Sequence, residues 1–145
     1  MSKKIAIIGA GSWGTALAIA LARSRRPHSI SLWAHELEVV ESMRGRRVNE
    51  VFLPGFELPA SLDATDDLAE AVAGAEIVLG VMPSTHARRL YSEIIPMLAP
   101  GASIVSATKG LEPDSLLRMT EVIEQAAGAP SQLRVAALSG PSFAR

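Results

Sequence analysis

Apolar residues fall along the chain in short unbroken runs that are separated by stretches with helical spacing. Residues 4–8 form a run without polar alternation, which is typical of a strand buried on both faces of a parallel sheet. Comparable segments predict further strands at residues 29–33, 77–81, 103–107 and 134–138. The pattern therefore predicts a sheet to which segments from the whole length of the chain contribute.

The stretches between these runs predict helices. In residues 12–24, Trp13, Leu17 and Leu21 stand four apart and share one face. Further helices are predicted at residues 36–44, 66–72, 85–98 and 114–127. Residues 45–59 hold two prolines and two glycines, so they are predicted to be a connecting loop long enough to have a function. This alternation predicts an α/β protein of the Rossmann type, a doubly wound, mostly parallel sheet with helices on both faces.

A glycine-rich turn follows the first strand and opens the first helix. The string GAGSWG places Gly9, Gly11 and Gly14 in the spacing that binds the pyrophosphate of a dinucleotide at a helix N-terminus. Gly9 permits the tight turn, Gly11 lets phosphates approach the backbone, and Gly14 lets the helix pack closely on the strand. The alternative is a tight strand-to-helix turn without a ligand.

The end of the second strand bears on the choice between NAD(H) and NADP(H). An NAD site commonly has a carboxylate there for the ribose hydroxyls, but this chain has Ala34 and His35 before Glu36. A protonated imidazole can pair with a ribose 2′-phosphate, which favours NADP(H) or dual use. Residues 44, 46 and 47 are arginines that could assist, or they could form a solvated basic helix end.

Composition narrows the function classes. With 145 residues the chain corresponds to one domain, and a net charge of −1 disfavours a nucleic-acid partner. The lack of cysteine excludes disulfides, thiolate metal sites and cysteine nucleophiles, and His28 and His86 have no ligand-spaced partners for a metal. The N-terminal glycines interrupt the apolar run before it resembles a signal peptide. We therefore expect a cytoplasmic protein with no metal and no membrane span.

Two more segments carry candidate chemistry where strands end. Lys109 follows the strand at 103–107, where its cation could attract a phosphate or polarise a carbonyl, or could simply be solvated at a loop. Gly140 and Ser142 follow the last predicted strand. Taken alone, Ser142 is a plausible helix N-cap in a turn that could also present N–H groups to an anion.

Four strings together resemble bacterial NAD(P)-dependent glycerol-3-phosphate dehydrogenase: GAGSWGTAL at 9–17, NEVFLP at 49–54, SATKGLE at 106–112 and SGPSFA at 139–144. The resemblance implies hydride transfer between NAD(P)H and dihydroxyacetone phosphate, giving sn-glycerol 3-phosphate for phospholipid synthesis. It implies that the substrate is bordered by Lys109, Gly140 and Ser142. It implies that the cofactor contacts Gly9, Gly11, Ser12, Trp13, Gly14, His35, Pro83, Lys109 and Ala144, with Phe52 and His86 nearby.

The resemblance extends over the whole chain, and we expect the helical C-terminal domain of the family, which carries its general acid–base lysine, to be absent. We therefore expect residues 1–145 to be an NAD(P)-binding Rossmann domain with no catalytic residue of its own and little turnover. Two alternatives are a standalone nucleotide-sensing module and a related dehydrogenase acting on another hydroxy or keto acid. An uncovered apolar surface could also support a homodimer.

Overall fold

The structure is a computed structural model that describes residues 1–129 and 131–140. The strands are β1 (Lys4–Ile8), β2 (Ser29–Trp33), β3 (Val48–Asn49), β4 (Leu53–Glu57), β5 (Leu62–Thr65), β6 (Ile77–Gly80), β7 (Ser103–Ser106) and β8 (Arg134–Ala137). The helices are α1 (Ser12–Ala22), α2 (Leu37–Arg46), α3 (Leu68–Val72), α4 (Ser84–Ile94) and α5 (Met119–Ala127), and a 3₁₀ turn (Ile95–Met97) follows α4.

Six of these strands form one parallel sheet in the order β5-β2-β1-β6-β7-β8. The chain starts in the middle at β1, moves outward to β5, and then returns to build the other half from β6 to β8. At the centre, Ile7 pairs with Leu32 on one side and with Leu79 on the other. The doubly wound topology predicted from the sequence is confirmed, and its switch point lies between β1 and β6.

The sheet has a hydrophobic core on each face because successive side chains of a strand point to opposite sides. Ile5 and Ile7 of β1 contribute to the core that contains buried residues of α1 and α2. Ala6 and Ile8 contribute to the other core, which contains buried residues of α3, α4 and α5. Helices therefore cover both faces, as the unbroken apolar run at β1 indicated.

Two elements were missed by the sequence pattern. The predicted loop 45–59 contains a small antiparallel hairpin of β3 and β4, and the sheet gains an edge strand at β5. In β5 only Leu62 and Ala64 are apolar, so no apolar run announces the strand. Its place is set by parallel pairing with β2, where Leu62 is opposite Ile30.

The prediction that a helix begins at residue 114 was wrong, since α5 begins at Met119. Asp114 and Leu116 have φ values of 69° and 59°, which lie in the left-handed region and cannot continue a right-handed helix. The true start is fixed by a capping bond, because the backbone N–H of Arg118 donates to the carboxylate of Glu121.

Candidate functional site

A cleft of about 780 Å³ opens at the carboxyl ends of the central strands. Ligand pockets in proteins commonly have this size, and open α/β sheets bind ligands at this edge. Of the predicted site residues, seven line the cleft: Gly9, Gly11, Ser12, Trp13, His35, Pro83 and Lys109. Phe52 and His86, which the resemblance placed nearby, line it as well.

The glycine turn has little space for side chains at two of its three positions. Gly9 has φ of 120°, and a Cβ added there would lie 2.9 Å from the carbonyl carbon of Val81. A Cβ on Gly14 would lie 1.9 Å from the carbonyl oxygen of Gly9, so Gly14 is buried beneath the turn and does not line the cleft. At Gly11, by contrast, a Cβ would meet nothing within 4 Å. The open space at Gly11 is where a ligand can approach the backbone.

Helix α1 points its N-terminus into this space. Its first intrahelical bond runs from the N–H of Thr15 to the carbonyl of Gly11, so the N–H groups of Ser12, Trp13 and Gly14 have no acceptor within the helix. These donors and the positive end of the helix dipole favour an anion. The turn itself is tied to the neighbouring strand, because the N–H of Gly9 donates to the carbonyl of Trp33 at 3.1 Å.

The wall formed by the end of β2 contains Trp33, His35 and Glu36. Trp33 is buried and its Nε1–H donates to the carbonyl of Asp66 at 2.9 Å, which fixes the indole. The exposed imidazole of His35 lies beside it, with ring centroids 6.1 Å apart. His35 thus stands at the rim, while the first carboxylate of this wall is supplied by Glu36.

The structure does not bring the predicted arginines of α2 and its end to the cleft. The guanidinium of Arg44 donates to the carbonyl of Ala64 at 2.8 Å, and that of Arg47 donates to the carbonyls of Pro59 and Leu62. Arg46 does not line the cleft either. Arg44 and Arg46 are exposed in the last turn of α2, which agrees with the prediction of a solvated basic helix end. The guanidinium groups of Arg44 and Arg47 also hold the edge strand and the residues before it.

Lys109 reaches the opposite rim from the loop that follows β7. The hydroxyl of Thr108 donates to the carbonyl of Met82 at 2.7 Å and so joins this loop to the end of β6. Lys109 is exposed, and the next residue, Gly110, turns the chain with φ of 89°. A cation at this position can neutralise an anionic group or a developing oxyanion in the cleft.

A bidentate ion pair holds the far end of the same loop. The guanidinium of Arg88 donates to both carboxylate oxygens of Glu112, at 2.8 and 2.7 Å, and the hydroxyl of Ser115 adds a third bond at 2.6 Å. Arg88, and then Ser115, hold the pKa of the Glu112 carboxyl below its usual range. The same pairing raises the pKa of Arg88.

Helix α4 brings a further cation that the sequence analysis missed. Arg89 lines the cleft together with His86, and its guanidinium also contacts the carboxylate of Glu93 at 3.0 Å. Residues three apart on a helix share a face, so the spacing from His86 was a signal that could have identified Arg89. Thr108 also lines the cleft, and its position next to Lys109 was a comparable signal.

The remaining predicted residues are not brought into the cleft. Gly140 does not line the cleft formed by the described residues. Ser142 and Ala144 lie outside the residues that the structure describes. Within 1–129 and 131–140, no group of three or more metal-binding side chains stands together, and no helix is both long and apolar enough to cross a membrane.

The arrangement is suited to an elongated anionic ligand. Backbone donors at the glycine turn can hold phosphate groups, an aromatic and imidazole wall lies on one side, and Lys109 and Arg89 lie on the other. The bulk of the cleft lining is apolar or aromatic, including Trp13, Trp33 and Phe52, which can pack against flat rings. Among the described residues that line it, Glu36 is the one carboxylate.

Comparison with known proteins gives a consistent result. The profile of the family described as NAD-dependent glycerol-3-phosphate dehydrogenase N-terminus matches residues 4–145. The chain is 53% identical over 142 residues to an NAD(P)+ glycerol-3-phosphate dehydrogenase of Koribacter versatilis, covering 98% of this chain and 42% of that protein. It is 50% identical over 146 residues to one of Citrifermentans bemidjiense, covering 43% of that protein.

A solved structure agrees with the sequence comparisons. The crystal structure of glycerol-3-phosphate dehydrogenase from Coxiella burnetii superposes with a TM-score of 0.87 at 36% identity, covering 98% of this chain and 42% of that one. The chain thus spans a little over two fifths of the length of the relatives it matches.

Proposed function

The chain belongs to the family described as NAD-dependent glycerol-3-phosphate dehydrogenase N-terminus, and from this premise we propose that residues 1–145 form the NAD(P)-binding domain of such a dehydrogenase. The glycine turn is the observation that carries the proposal. Gly9 and Gly14 are required by close backbone contacts, whereas Gly11 borders open space in the cleft. That open space lets a phosphate group approach the backbone at the N-terminus of α1.

The cofactor fits the cleft by the chemistry of its walls. Gly9, Gly11, Ser12, Trp13 and Gly14 would hold the pyrophosphate, through backbone donors and the close packing beneath them. His35 would lie beside the adenosine ribose, where no carboxylate opposes a 2′-phosphate in the positions before Glu36. We propose that NADP(H) is bound at least as well as NAD(H).

The proposed reaction interconverts dihydroxyacetone phosphate and sn-glycerol 3-phosphate, and its product would serve phospholipid synthesis. When bound, the nicotinamide cofactor supplies or accepts the hydride. Lys109 would stand between cofactor and substrate, where its ammonium can stabilise negative charge on the carbonyl oxygen. Gly140 and Ser142 are proposed to border the substrate, and Pro83 and Ala144 to contact the cofactor.

We propose that this span binds the cofactor with little turnover by itself. The family resemblance places the acid that protonates the substrate oxygen in the C-terminal domain, and cofactor positioning without that proton transfer gives little catalysis. Reduction of dihydroxyacetone phosphate by NADPH is followed by absorbance in the presence of the purified chain. A rate comparable to that of a complete family member would contradict this part of the proposal.

The proposal also extends to location and assembly. We propose a cytoplasmic protein, and a homodimer formed through the sheet edge at β8, where Ala136, Ala137 and Leu138 are exposed. Light scattering during size-exclusion chromatography measures the mass at high protein concentration. A monomer at every concentration would contradict the dimer.

The test of cofactor binding uses two glycine substitutions that the fold tolerates equally. Gly11→Ala adds a methyl group where nothing lies within 4 Å, and Gly45→Ala does the same on helix α2 away from the cleft. Calorimetric titration with NADPH and NADH measures binding by each purified variant. We expect the unchanged chain and Gly45→Ala to bind, and Gly11→Ala to bind at least about 100-fold more weakly because its methyl group blocks the phosphates.

Each result of the titration has a different meaning. Equal binding by Gly11→Ala and Gly45→Ala would show that phosphates do not approach the turn. Absence of binding by the unchanged chain would contradict the proposal that this span holds the cofactor. Thermal unfolding of both variants serves as the control, and we expect Gly11→Ala to be as stable as the unchanged chain because its backbone φ of −67° suits alanine.

A further inference from the structure

A buried amide joins two walls of the cleft. The side chain of Asn49 at the end of β3 is fully buried, and its Nδ2 donates to the carbonyl of Ala10 and to the hydroxyl of Thr15, both at 2.9 Å. Its Oδ1 accepts the N–H of Phe52 at 3.0 Å. The hairpin that was predicted to be a loop is therefore bonded directly to the glycine turn.

The bond to Ala10 has a consequence for the phosphate site. The carbonyl of Ala10 and the N–H of Gly11 belong to one planar trans peptide, so the two groups point in opposite directions. Asn49 and the hydroxyl of Thr15, at 3.3 Å, hold that carbonyl toward the protein interior. The N–H of Gly11 is thereby turned away from the interior and toward the cleft that Gly11 lines.

The same side chain also positions an aromatic wall. By accepting the N–H of Phe52, Asn49 fixes the backbone at the tip of the hairpin, and Phe52 lines the cleft. A buried amide with all of these bonds satisfied is rigid, and removing one partner leaves the others unpaired in the interior. No residue other than Asn49 in the described hairpin reaches the carbonyl of Ala10.

We propose that Asn49 is a positioning residue that sets the direction of the Gly11 N–H for binding the cofactor diphosphate. This inference rests on the proposed function, because it assumes that the glycine turn holds phosphate. Asn49 acts through the peptide between Ala10 and Gly11 and is too deeply buried to contact the cofactor.

The chain offers a matched control at the same hairpin. The hydroxyl of Ser42 donates to the carbonyl of Val48 at 2.8 Å and accepts the N–H of Glu50 at 3.2 Å, so it anchors the hairpin to α2 with no bond to the glycine turn. Ser42→Ala therefore loosens the hairpin alone. Asn49→Ala releases the hairpin and the turn, and Thr15→Val releases part of the turn while keeping the shape of the side chain.

The experiment measures binding of two probes, ADP and adenosine, to the unchanged chain and the three variants. We expect Asn49→Ala to weaken ADP binding about tenfold and Thr15→Val about threefold, since hydrogen bonds that orient the phosphate donor are lost. Ser42→Ala should change it by less than about twofold. Adenosine, which carries no phosphate, should be bound with similar affinity by all four proteins.

A second readout reports the peptide itself. The amide proton of Gly11, followed by NMR, should shift strongly on addition of ADP to the unchanged chain and to Ser42→Ala, and weakly in Asn49→Ala. Equal losses for ADP and adenosine would overturn the inference, because they would show a general structural role.

The remaining outcomes also decide the question. If Asn49→Ala does not fold, Thr15→Val decides, and ADP affinity equal to that of Ser42→Ala overturns the inference. If the unchanged chain binds ADP and all variants match it, the inference fails while the proposed function stands. If the unchanged chain binds neither ADP nor NADPH, the proposed function fails and the inference fails with it.

Discussion

The centre of the sheet and its β8 edge are built differently. At the centre, four of the five residues of β1 are buried, and the glycine turn that follows them is tied to Trp33 and Asn49 by hydrogen bonds. At the edge, three of the four residues of β8 are exposed, and Lys109 and Gly140 are exposed as well.

This difference indicates how the two halves of the site are held. The geometry around the glycine turn is imposed by backbone contacts that permit no side chain and by a buried amide, both of which resist change. The loop that carries Lys109 is held by a partly exposed ion pair, which gives it less rigidity than the glycine turn has. The loop also contains residues with left-handed φ values. We therefore expect the first half to bind its ligand unaided and the second to depend more on its surroundings.

The largest effect is expected from Gly14→Ala, which disturbs the closely packed glycine turn itself. Its Cβ would lie 1.9 Å from the carbonyl oxygen of Gly9, so the turn and α1 must separate. We expect a loss of about 3 kcal/mol in the free energy of unfolding, measured by urea denaturation, together with loss of NADPH binding. If Gly14→Ala were as stable as Gly45→Ala and bound NADPH equally well, close packing at Gly14 would not be what makes the turn rigid.

The second largest effect is expected on the preference of the cleft for NADH or NADPH. His35→Asp places a carboxylate at an exposed position on the cleft wall, where it repels a 2′-phosphate and accepts bonds from ribose hydroxyls. We expect the ratio of NADH to NADPH affinity, measured by calorimetry, to rise at least about tenfold. An unchanged ratio would show that the adenosine ribose lies elsewhere.

A smaller effect is expected from loss of the ion pair that supports the loop carrying Lys109. Glu112→Gln breaks the ion pair with Arg88, and we expect a modest lowering of the melting temperature at neutral pH. Because the folded-state pKa of Glu112 is lowered, the carboxylate contributes stability above its ordinary pKa of 4.5 and loses that contribution as pH falls through the lowered value.

Melting curves of the unchanged chain and Glu112→Gln at several pH values give the readout. The difference in melting temperature should be present at neutral pH and shrink at acid pH, where Glu112 is protonated in both states. Ser115→Ala should lower the melting temperature less than Glu112→Gln does, because the Ser115 hydroxyl is the second support of the same carboxylate. A difference that is constant with pH would exclude the ion pair as its cause.

The smallest effect in this chain is expected from Lys109→Ala. Lys109 is exposed, so the free energy of unfolding should change by less than about 0.5 kcal/mol. NADPH affinity measured by calorimetry should fall by less than about threefold, because the turn rather than Lys109 holds the diphosphate. Complete loss of binding would show that Lys109, and not the glycine turn, is the main support of the cofactor.

Where one local signal determined the structure, the sequence was sufficient. An unbroken apolar run is typical of a strand buried on both faces, so β1 was predictable, and the glycine spacing predicted the tight turn that follows it. The start of α5 was not, because Asp114 and Leu116 adopt left-handed φ values in a loop that is closed by backbone hydrogen bonds joining Glu112 to Leu116 and Leu117.

Contacts between distant segments explain three further features that the sequence did not predict. Strand β5 has no apolar run of its own and is specified by pairing with β2. Asn49 stands 39 residues from Ala10 in the chain, so no local spacing connects the two. The bonds of Arg44 and Arg47 likewise depend on carbonyl groups of β5, which only the folded chain brings beside α2.

Binding of NADPH at the glycine turn is tested most directly by mapping it on the backbone amides of the isotopically labelled chain by NMR. We expect the largest shifts in residues 9–14 and further shifts near His35 and Pro83, with no change in the hollow between α5 and β8 that is lined by Leu117, Glu121 and Val135. Shifts concentrated in that hollow, or no shifts at saturating NADPH, would contradict binding at the turn.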